Sequence, residues 1–230
     1  MTSGARLSRF DGYLFDAGGV LVLPDPTVIA PLLAVFGAAT EAHVHLRAHY
    51  AGMAAKSRAA AGETDWGDYD RAYVRTVGVP DDEAGEAVEL LGRTRSAHLW
   101  RWPIADSVTA LFELVASGRP VGVVSNASGQ VEAVLRRSGV CQVGAGAGAD
   151  VCCVVDSHVV GVAKPDPAIF DHALVHFEGV ERHRIAYVGD SVTMDVGGAR
   201  AAGLHPVLLD PYDDHPELDA DRIRALTDLL

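Results

Sequence analysis

The feature that most constrains this chain is a set of short, uninterrupted apolar runs separated by amphipathic segments. The runs are GYLF, PVGVV, VCCVV, RIAYV and HPVLL, at residues 12–15, 120–124, 151–155, 184–188 and 205–209. A strand that is apolar at every position must be covered on both faces, as strands are in a parallel sheet. The amphipathic pattern predicts helices at 105–117, 127–138, 167–177, 194–202 and 217–229. We therefore predict an α/β fold with a Rossmann-like parallel sheet at its core.

One long stretch of the sequence interrupts this alternation of strand and helix. Between residues 24 and 102 no convincing strand pattern occurs, and helical patterns fall at 26–36, 41–60, 65–77 and 81–97. The proline-containing tripeptides PDP (24–26) and RWP (101–103) bound the stretch. We therefore predict that residues 24–102 form an inserted α-helical domain, and that residues 1–23 and 103–230 form the core.

Polar residues stand where the predicted strands end. Asp16 follows the first strand, Ser125 and Asn126 follow the second, and Asp190 follows the fourth. Lys164 comes after the third strand, just before a helix bounded by prolines. In an open parallel sheet, ligands bind outside the carboxyl ends of the strands. We therefore expect these residues to meet in one crevice.

The types of these residues indicate a chemistry. Two neighbouring carboxylates, Asp16 and Asp190, repel each other unless a proton or a cation lies between them. Mg²⁺ suits such a pair, because it prefers a few hard oxygen ligands and retains water or substrate phosphate as the others. The Ser125 hydroxyl and the Lys164 ammonium would stabilise oxygens that carry developing negative charge. Phosphoryl transfer is the reaction that fits this combination.

Charge and composition exclude several classes of partner. The net charge of −12, from 19 basic and 31 acidic residues, argues against binding to nucleic acid. The same charge repels an anionic substrate at long range, so such a substrate needs a local cation. No signal-peptide core or membrane-spanning run is evident, and the three cysteines form neither a disulfide framework nor a metal motif. We expect a cytoplasmic protein with no membrane partner; the oligomeric state stays open.

Four motifs, in order along the chain, carry a resemblance to a known family. They are FDAGGVL around Asp16, VVSN around Ser125, VAKPDPAIF around Lys164, and VGDSVTMDVGGARAAG with Asp190 and Asp195. The chain resembles the haloacid dehalogenase-like superfamily, and within it the phosphatases whose helical cap is inserted after the first motif. The resemblance extends from Tyr13 to about Leu209.

The resemblance implies a role for each motif residue. Asp16 would be the nucleophile that forms an aspartyl-phosphate with a small phosphorylated metabolite. Mg²⁺ would be held by Asp16, the backbone carbonyl of Gly18 and Asp190, with Asp195 close by. Ser125 and Lys164 would bind the phosphoryl oxygens, with Asn126 nearby.

The sequence departs from the family pattern at one position. The family usually has DxDG, in which the second aspartate is the general acid and base, and here that position is Gly18. General acid catalysis typically contributes about 10²–10⁴ in rate. Either the leaving group needs little protonation, or another group supplies the proton, or the protein is not a fast phosphatase. The histidines His45 and His49, four apart on one predicted helix face, are candidates for such a group, although a cavity-lining or solvated role is expected of them.

Three functions follow from these observations. The leading one is an Mg²⁺-dependent phosphatase. A metal-free 2-haloacid dehalogenase, which also uses an aspartate nucleophile, is the first alternative, and Asp190 argues against it because dehalogenases resembling this fold place serine and asparagine there. The second alternative is a catalytically weak protein that keeps the pocket for binding.

Overall fold

The computed structural model describes residues 9–230 and is built around a six-stranded parallel sheet with strand order β10-β9-β8-β1-β4-β7. The strands are β1 (Gly12–Phe15), β2 (Val22–Pro24), β3 (Trp100–Pro103), β4 (Val121–Ser125), β5 (Cys141–Gln142), β6 (Ala149–Asp150), β7 (Cys153–Asp156), β8 (Ile185–Gly189), β9 (His205–Leu209) and β10 (Asp221–Ile223). Two short pairs, β2 with β3 and β5 with β6, lie outside the central sheet. The predicted α/β fold with a parallel sheet is confirmed.

The apolar runs are buried because both faces of the sheet are covered. Every residue of β1 is buried, and β1 lies between β8 and β4. Successive side chains of a strand point to opposite faces. Tyr13 and Phe15 accordingly join a hydrophobic cluster with Leu111 and Leu114, whereas Leu14 joins a separate cluster with Tyr187. Alternate residues of β1 thus contribute to two separate hydrophobic cores, which explains why the strand is apolar on both faces.

The helices cover the sheet and fill the stretch between β2 and β3. They are α1 (Pro26–Ala34), α2 (Ala42–Arg58), α3 (Gly67–Thr76), α4 (Ala84–Thr94), α5 (Ala105–Ala116), α6 (Val131–Arg137), α7 (Ser157–Val160), α8 (Ala168–Leu174) and α9 (Gly197–Ala201). A π-helical turn, Val192–Val196, precedes α9, and 3₁₀ turns lie at Ala97–Leu99, Arg182–Arg184 and Leu226–Leu229. Within residues 9–230, no helix combines the length and the apolar character needed to cross a bilayer.

Helices α1 to α4 and their connections, residues 26–94, are called the helical segment below. The segment has its own apolar cluster, which includes Ile29, Leu33, Tyr73 and Leu91. It is joined to the rest of the chain through the antiparallel pair β2–β3. Of the two proline-containing tripeptides, RWP thus lies within a two-stranded ribbon and PDP marks the point where that ribbon passes into α1, a feature that the sequence pattern did not predict.

The prediction of a helix at 217–229 was wrong. Residues Asp221–Ile223 instead extend the sheet as an edge strand parallel to β9, and Leu226–Leu229 form a 3₁₀ turn. Asp221 accepts hydrogen bonds from Arg9 and His205, which fixes the edge strand in place. Pairing with a neighbouring strand outweighs local helical preference here, and a single-sequence pattern cannot show that pairing.

Candidate active site

Three neighbouring strands of the sheet deliver the predicted polar residues to one cavity. Asp16 follows β1, Ser125 ends β4 and Asp190 follows β8, and β8, β1 and β4 are adjacent in the sheet. The cavity at this edge has a volume of about 480 Å³, and its lining includes all seven site residues predicted from the sequence. They are Asp16, Gly18, Ser125, Asn126, Lys164, Asp190 and Asp195.

Lys164 is the cation at the centre of this group. Its Nζ atom lies 3.0 Å from Asp16 Oδ1, 2.6 Å from Asp195 Oδ1 and 2.8 Å from the Tyr187 hydroxyl. Burial alone would lower the pKa of Lys164, but the Asp16 and Asp195 carboxylates outweigh that effect and hold the pKa above its ordinary value. Lys164 therefore keeps its positive charge in an almost fully buried position.

Asp16 experiences opposing electrostatic effects. Burial raises the pKa of its carboxyl group to about 7, with Lys164 opposing this shift and Asp195 and Asp190 adding to it. A hydrogen bond from Ser125 also favours the ionised form. The backbone N–H of Ala17 donates to Asp16 Oδ1 at 2.7 Å. An additional positive charge beside Asp16 would stabilise the carboxylate form that a nucleophile needs.

The three carboxylates fit a divalent cation. Asp16, Asp190 and Asp195 each place an oxygen within 4.8 Å of the others. Across residues 9–230, Lys164 is the one lysine or arginine within ion-pair distance of them. Three carboxylates beside one ammonium leave two negative charges in excess when all are ionised. Hard oxygen ligands with that excess charge match the preference of Mg²⁺.

Asp195 holds Lys164 in position. Its Oδ1 accepts from Lys164 and lies 3.1 Å from the Tyr187 hydroxyl, while its Oδ2 accepts from the backbone N–H of Ser191 at 2.9 Å. The Tyr187 hydroxyl in turn lies 2.9 Å from the carbonyl oxygen of Val124. Tyr187 was missed by sequence reasoning, because a tyrosine in an apolar strand gives no sign that its hydroxyl reaches the site.

Asn126 braces the backbone of Lys164. Its Oδ1 accepts from the Lys164 N–H at 2.8 Å, and its Nδ2 donates to the Lys164 carbonyl at 3.0 Å. Nδ2 also lies 3.0 Å from Glu63 Oε2, in the helical segment. The structure thus places Asn126 between Lys164 and the helical segment.

The two histidines considered together in the sequence have different surroundings. His49 Nε2 lies 2.9 Å from Asp190 Oδ2, and His49 Nδ1 lies 3.0 Å from the Tyr69 hydroxyl. His45 Nδ1 lies 2.8 Å from the Tyr73 hydroxyl, and its Nε2 lies 2.9 Å from the Ala39 carbonyl. His49 therefore reaches the carboxylate site, whereas the contacts of His45 are all with the helical segment.

Close neighbours constrain the glycine pair after Asp16, severely at Gly19 and only mildly at Gly18. A Cβ atom on Gly18 would lie 3.1 Å from the Trp100 ring. Gly19 has φ +71°, and a Cβ atom there would lie 1.8 Å from Asp190 Oδ2 and 2.7 Å from His49 Nε2. The Gly19 carbonyl also accepts from the Tyr50 hydroxyl at 2.7 Å. Without side chains at these two positions, the backbone can pass close to Trp100, Asp190 and His49.

Three side chains of the cavity wall were not anticipated from the sequence as site residues. Lys56, Trp66 and Trp100 line the cavity from α2, from the residue before α3 and from β3. Tyr69 lies in the apolar cluster of the helical segment, and the partly buried Trp66 packs against that cluster as well as lining the cavity. Helical spacing identifies a buried face, but it does not show which of its residues border a cavity.

Comparison with known proteins points to one family. The chain matches a model described as haloacid dehalogenase-like hydrolase over residues 10–203. It is 35% identical over 113 residues to haloacid dehalogenase-like hydrolase domain-containing protein 3 of Danio rerio, a match that covers 49% of this chain and 43% of that protein. It is 46% identical over 68 residues to phosphoserine phosphatase of Thermus thermophilus, which covers 30% of this chain and 27% of that protein. The chain thus spans less than half the length of each of these two relatives.

A solved structure shows the same fold over nearly the whole chain. The crystal structure of a HAD phosphatase from Thermococcus onnurineus superposes with a TM-score of 0.59 at 23% identity, and covers 95% of each chain. At that identity, the likeness establishes the fold alone.

Replacement of Gly19 by alanine tests the packing at the site. Gly19→Ala should cost about 1–2 kcal/mol of unfolding free energy for the left-handed backbone. It should cost roughly 1–3 kcal/mol more, because the new methyl group displaces Asp190 from its buried hydrogen bond with His49. Urea unfolding measures both terms against Gly78→Ala, whose φ is +88° with nothing within 4 Å of the new Cβ. Equal losses in the two variants would show that the contact with Asp190 carries no energetic weight.

Proposed function

The chain belongs to the haloacid dehalogenase-like hydrolases, and from this premise we propose that it is an Mg²⁺-dependent phosphatase that acts on a small phosphorylated metabolite. One observation carries the proposal: Asp16, at the end of a central strand, lies beside Lys164 and within 4.8 Å of two further carboxylates. Relatives at modest identity include a protein described as phosphoserine phosphatase. A carboxylate nucleophile, a fixed cation and a divalent-cation site are the parts that phosphoryl transfer needs.

Three residues would hold the metal ion directly, and a fourth would lie close to it. Asp16 and Asp190 would bind it through their carboxylates and Gly18 through its backbone carbonyl, with Asp195 close enough to contribute its charge. When bound, Mg²⁺ would neutralise charge on the phosphoryl oxygens and on the carboxylates around them.

The chain's own residues would then carry out a two-step displacement. An Asp16 carboxylate oxygen attacks phosphorus, the bond between phosphorus and the ester oxygen breaks, and the leaving group departs as an oxyanion that keeps the bonding electron pair and takes a proton from water. Water next attacks the phosphorus of the aspartyl-phosphate, which releases phosphate and restores the Asp16 carboxylate. Lys164 and Ser125 donate hydrogen bonds to the phosphoryl oxygens in both steps. Asp195 and Asn126 act as positioning residues, because they hold the Lys164 side chain and backbone.

The helical segment would act as a cap over this chemistry. We propose that residues 24–102 form the cap domain and that residues 1–23 and 103–230 form the catalytic core. Three contacts outside the ribbon support this division: His49 with Asp190, Glu63 with Asn126, and the Ser57 hydroxyl with the Val192 N–H at 3.3 Å. A lid that meets the core at the carboxylates can exclude water from the reacting atoms.

Free cysteines suit the compartment expected from the sequence. Cys141, Cys152 and Cys153 are all free thiols in the structure. Thiols remain reduced in the cytoplasm. We propose a cytoplasmic phosphatase whose partner is its small-molecule substrate.

The central test compares two reactions in the same purified protein. With Mg²⁺ we expect hydrolysis of p-nitrophenyl phosphate, loss of that activity in excess EDTA, and recovery when Mg²⁺ is restored. Chelation should also lower the melting temperature, because the carboxylates of Asp16 and Asp190 then repel each other without a cation. Chloride release from 2-chloropropionate that is insensitive to EDTA would instead assign the dehalogenase reaction. Turnover of neither compound, nor of a wider panel of phosphate esters, would favour a binding protein.

Gly18 leads to a separate prediction about the leaving group. Without a carboxyl group at this position, the rate should depend steeply on how readily the leaving group departs as an anion. Aryl and acyl phosphates should therefore be hydrolysed faster than simple alkyl phosphates, by up to the general-acid factor of about 10²–10⁴. The measurement is kcat/KM across a series of esters whose leaving groups differ in pKa.

The matched variant for this series is Gly18→Asp. Its Cβ would lie 3.1 Å from the Trp100 ring, so that ring must shift slightly to admit it. A folded Gly18→Asp protein should accelerate alkyl substrates more than aryl ones and so flatten the dependence on the leaving group. A wild-type protein that is equally fast on alkyl and aryl esters would show that another group already supplies the proton.

A further inference from the structure

Lys56 is a buried cation that the proposed reaction does not use. It lies in α2, is 4% exposed and lines the cavity. Its Nζ donates to the backbone carbonyl of Glu63 at 2.8 Å and lies 3.9 Å from the centre of the Trp66 ring. In the described part of the chain, no carboxylate lies within ion-pair distance of this ammonium, whereas Lys164 has two.

A buried ammonium with no carboxylate within ion-pair distance is costly to maintain. Removing a charge from water is unfavourable unless an opposite charge close by compensates for it. Burial accordingly lowers the pKa of Lys56, while the carboxylates of Glu63, Asp65 and Asp190, at longer range, oppose this shift. The carbonyl dipole and the aromatic face also compensate in part. The remaining compensation would come from an anion that enters the cavity.

A second cation lies on the same wall. The Arg95 guanidinium lies 4.4 Å from the centre of the Trp66 ring, and Arg95 lines the cavity as well. Arg95 forms an ion pair with Asp70, which takes up part of its hydrogen-bonding capacity. A guanidinium has five N–H donors, so Arg95 can bind a ligand while it keeps that pair.

These two cations come from a different segment of the chain than the proposed catalytic residues. Lys56 and Trp66 come from the helical segment and Arg95 directly follows it, whereas Asp16, Ser125 and Lys164 come from the core. A cavity of about 480 Å³ accommodates a small metabolite that reaches both groups. The long-range field of a protein with net charge −12 repels anions, so an anionic ligand needs cations within the cavity itself.

We propose that Lys56 and Arg95, which both contact the Trp66 ring, bind a second anionic group of the substrate. The substrate would then be a small phosphorylated compound with a carboxylate or a second phosphate at a distance from the reacting phosphoryl group. This inference rests on the proposed phosphatase function for the identity of the reacting group. It makes Lys56 and Arg95 specificity-determining residues, and it explains how an acidic protein attracts a polyanionic substrate.

Binding of non-hydrolysable phosphonates tests this without turnover. Isothermal titration in Mg²⁺ would compare propylphosphonate, which has a neutral tail, with 3-phosphonopropionate and ethane-1,2-bisphosphonate, whose tails are a carboxylate and a second phosphonate. We expect the wild-type protein to bind at least one anionic-tail ligand roughly 10- to 100-fold more tightly than propylphosphonate, the range of a charged hydrogen bond. The tighter of the two anionic ligands identifies the carboxylate or the second phosphate as the group recognised.

Three variants make the test specific to Lys56. Lys56→Met, of similar length, should remove most of the preference for the anionic tail, and Lys56→Arg should retain much of it. Arg58→Met removes an exposed cation from the same helix that does not line the cavity, and should retain the full preference. Circular dichroism and the melting temperature establish that each variant is folded. If Lys56→Met does not fold, the comparison of the three ligands in the wild-type protein and in Lys56→Arg decides the question.

The outcomes separate this inference from the proposed function. Equal affinity of the wild-type protein for the neutral and anionic tails overturns the inference, even if p-nitrophenyl phosphate is hydrolysed. A preference that Lys56→Met and Arg58→Met retain equally also overturns it, because the anion then binds elsewhere. A preference lost in Lys56→Met but kept in Arg58→Met supports the anion site, and failure to hydrolyse any phosphate ester would then count against the phosphatase function alone.

Discussion

Mutual repulsion among three closely spaced carboxylates, two buried and one partly buried, is the constraint on which the rest of the site depends. Asp16, Asp190 and Asp195 converge within 4.8 Å at the ends of parallel strands, where water cannot screen them well. Lys164 offsets part of this charge through direct contacts with two of them. The remaining negative charge favours a divalent cation, and that cation together with Lys164 would then allow an anionic ligand to bind. A site that is destabilised until both arrive is suited to phosphoryl transfer, because its charges are fixed before the substrate binds.

The helical segment contributes side chains to the same site. One helix, α2, supplies the histidine that contacts Asp190, the tyrosine that contacts the Gly19 carbonyl and the buried Lys56. The arrangement of the carboxylates therefore depends on the position of α2, the helix whose side chains would also contact the substrate. The glycine pair after Asp16 is part of the same arrangement, since a side chain at Gly19 would occupy the space of Asp190.

Much of this could be predicted from the sequence, because the signals involved are local. Continuous apolar strands that end in Asp16, Ser125 and Asp190 follow from the period of a buried parallel strand, and the convergence of their ends follows from the geometry of the sheet. Features that depend on distant pairing could not be predicted. The edge strand at Asp221–Ile223 depends on β9, and the role of Tyr187 depends on Lys164, 23 residues earlier in the chain. Helical spacing predicted that His45 and His49 share one helix face. It could not show that the His45 ring contacts a tyrosine on α3, whereas the His49 ring contacts another tyrosine on α3 and a carboxylate of the core.

The most direct test of the central claim is to locate the covalent intermediate. The protein would be mixed with Mg²⁺ and an acyl phosphate substrate, quenched in acid during turnover, and digested for mass spectrometry. A phosphoryl group on the peptide that contains Asp16, absent from the same peptide of Asp16→Asn and still present in a control variant of the exposed Asp106, is the predicted result. Continued turnover by Asp16→Asn, or a phosphoryl group found on another residue, would contradict it.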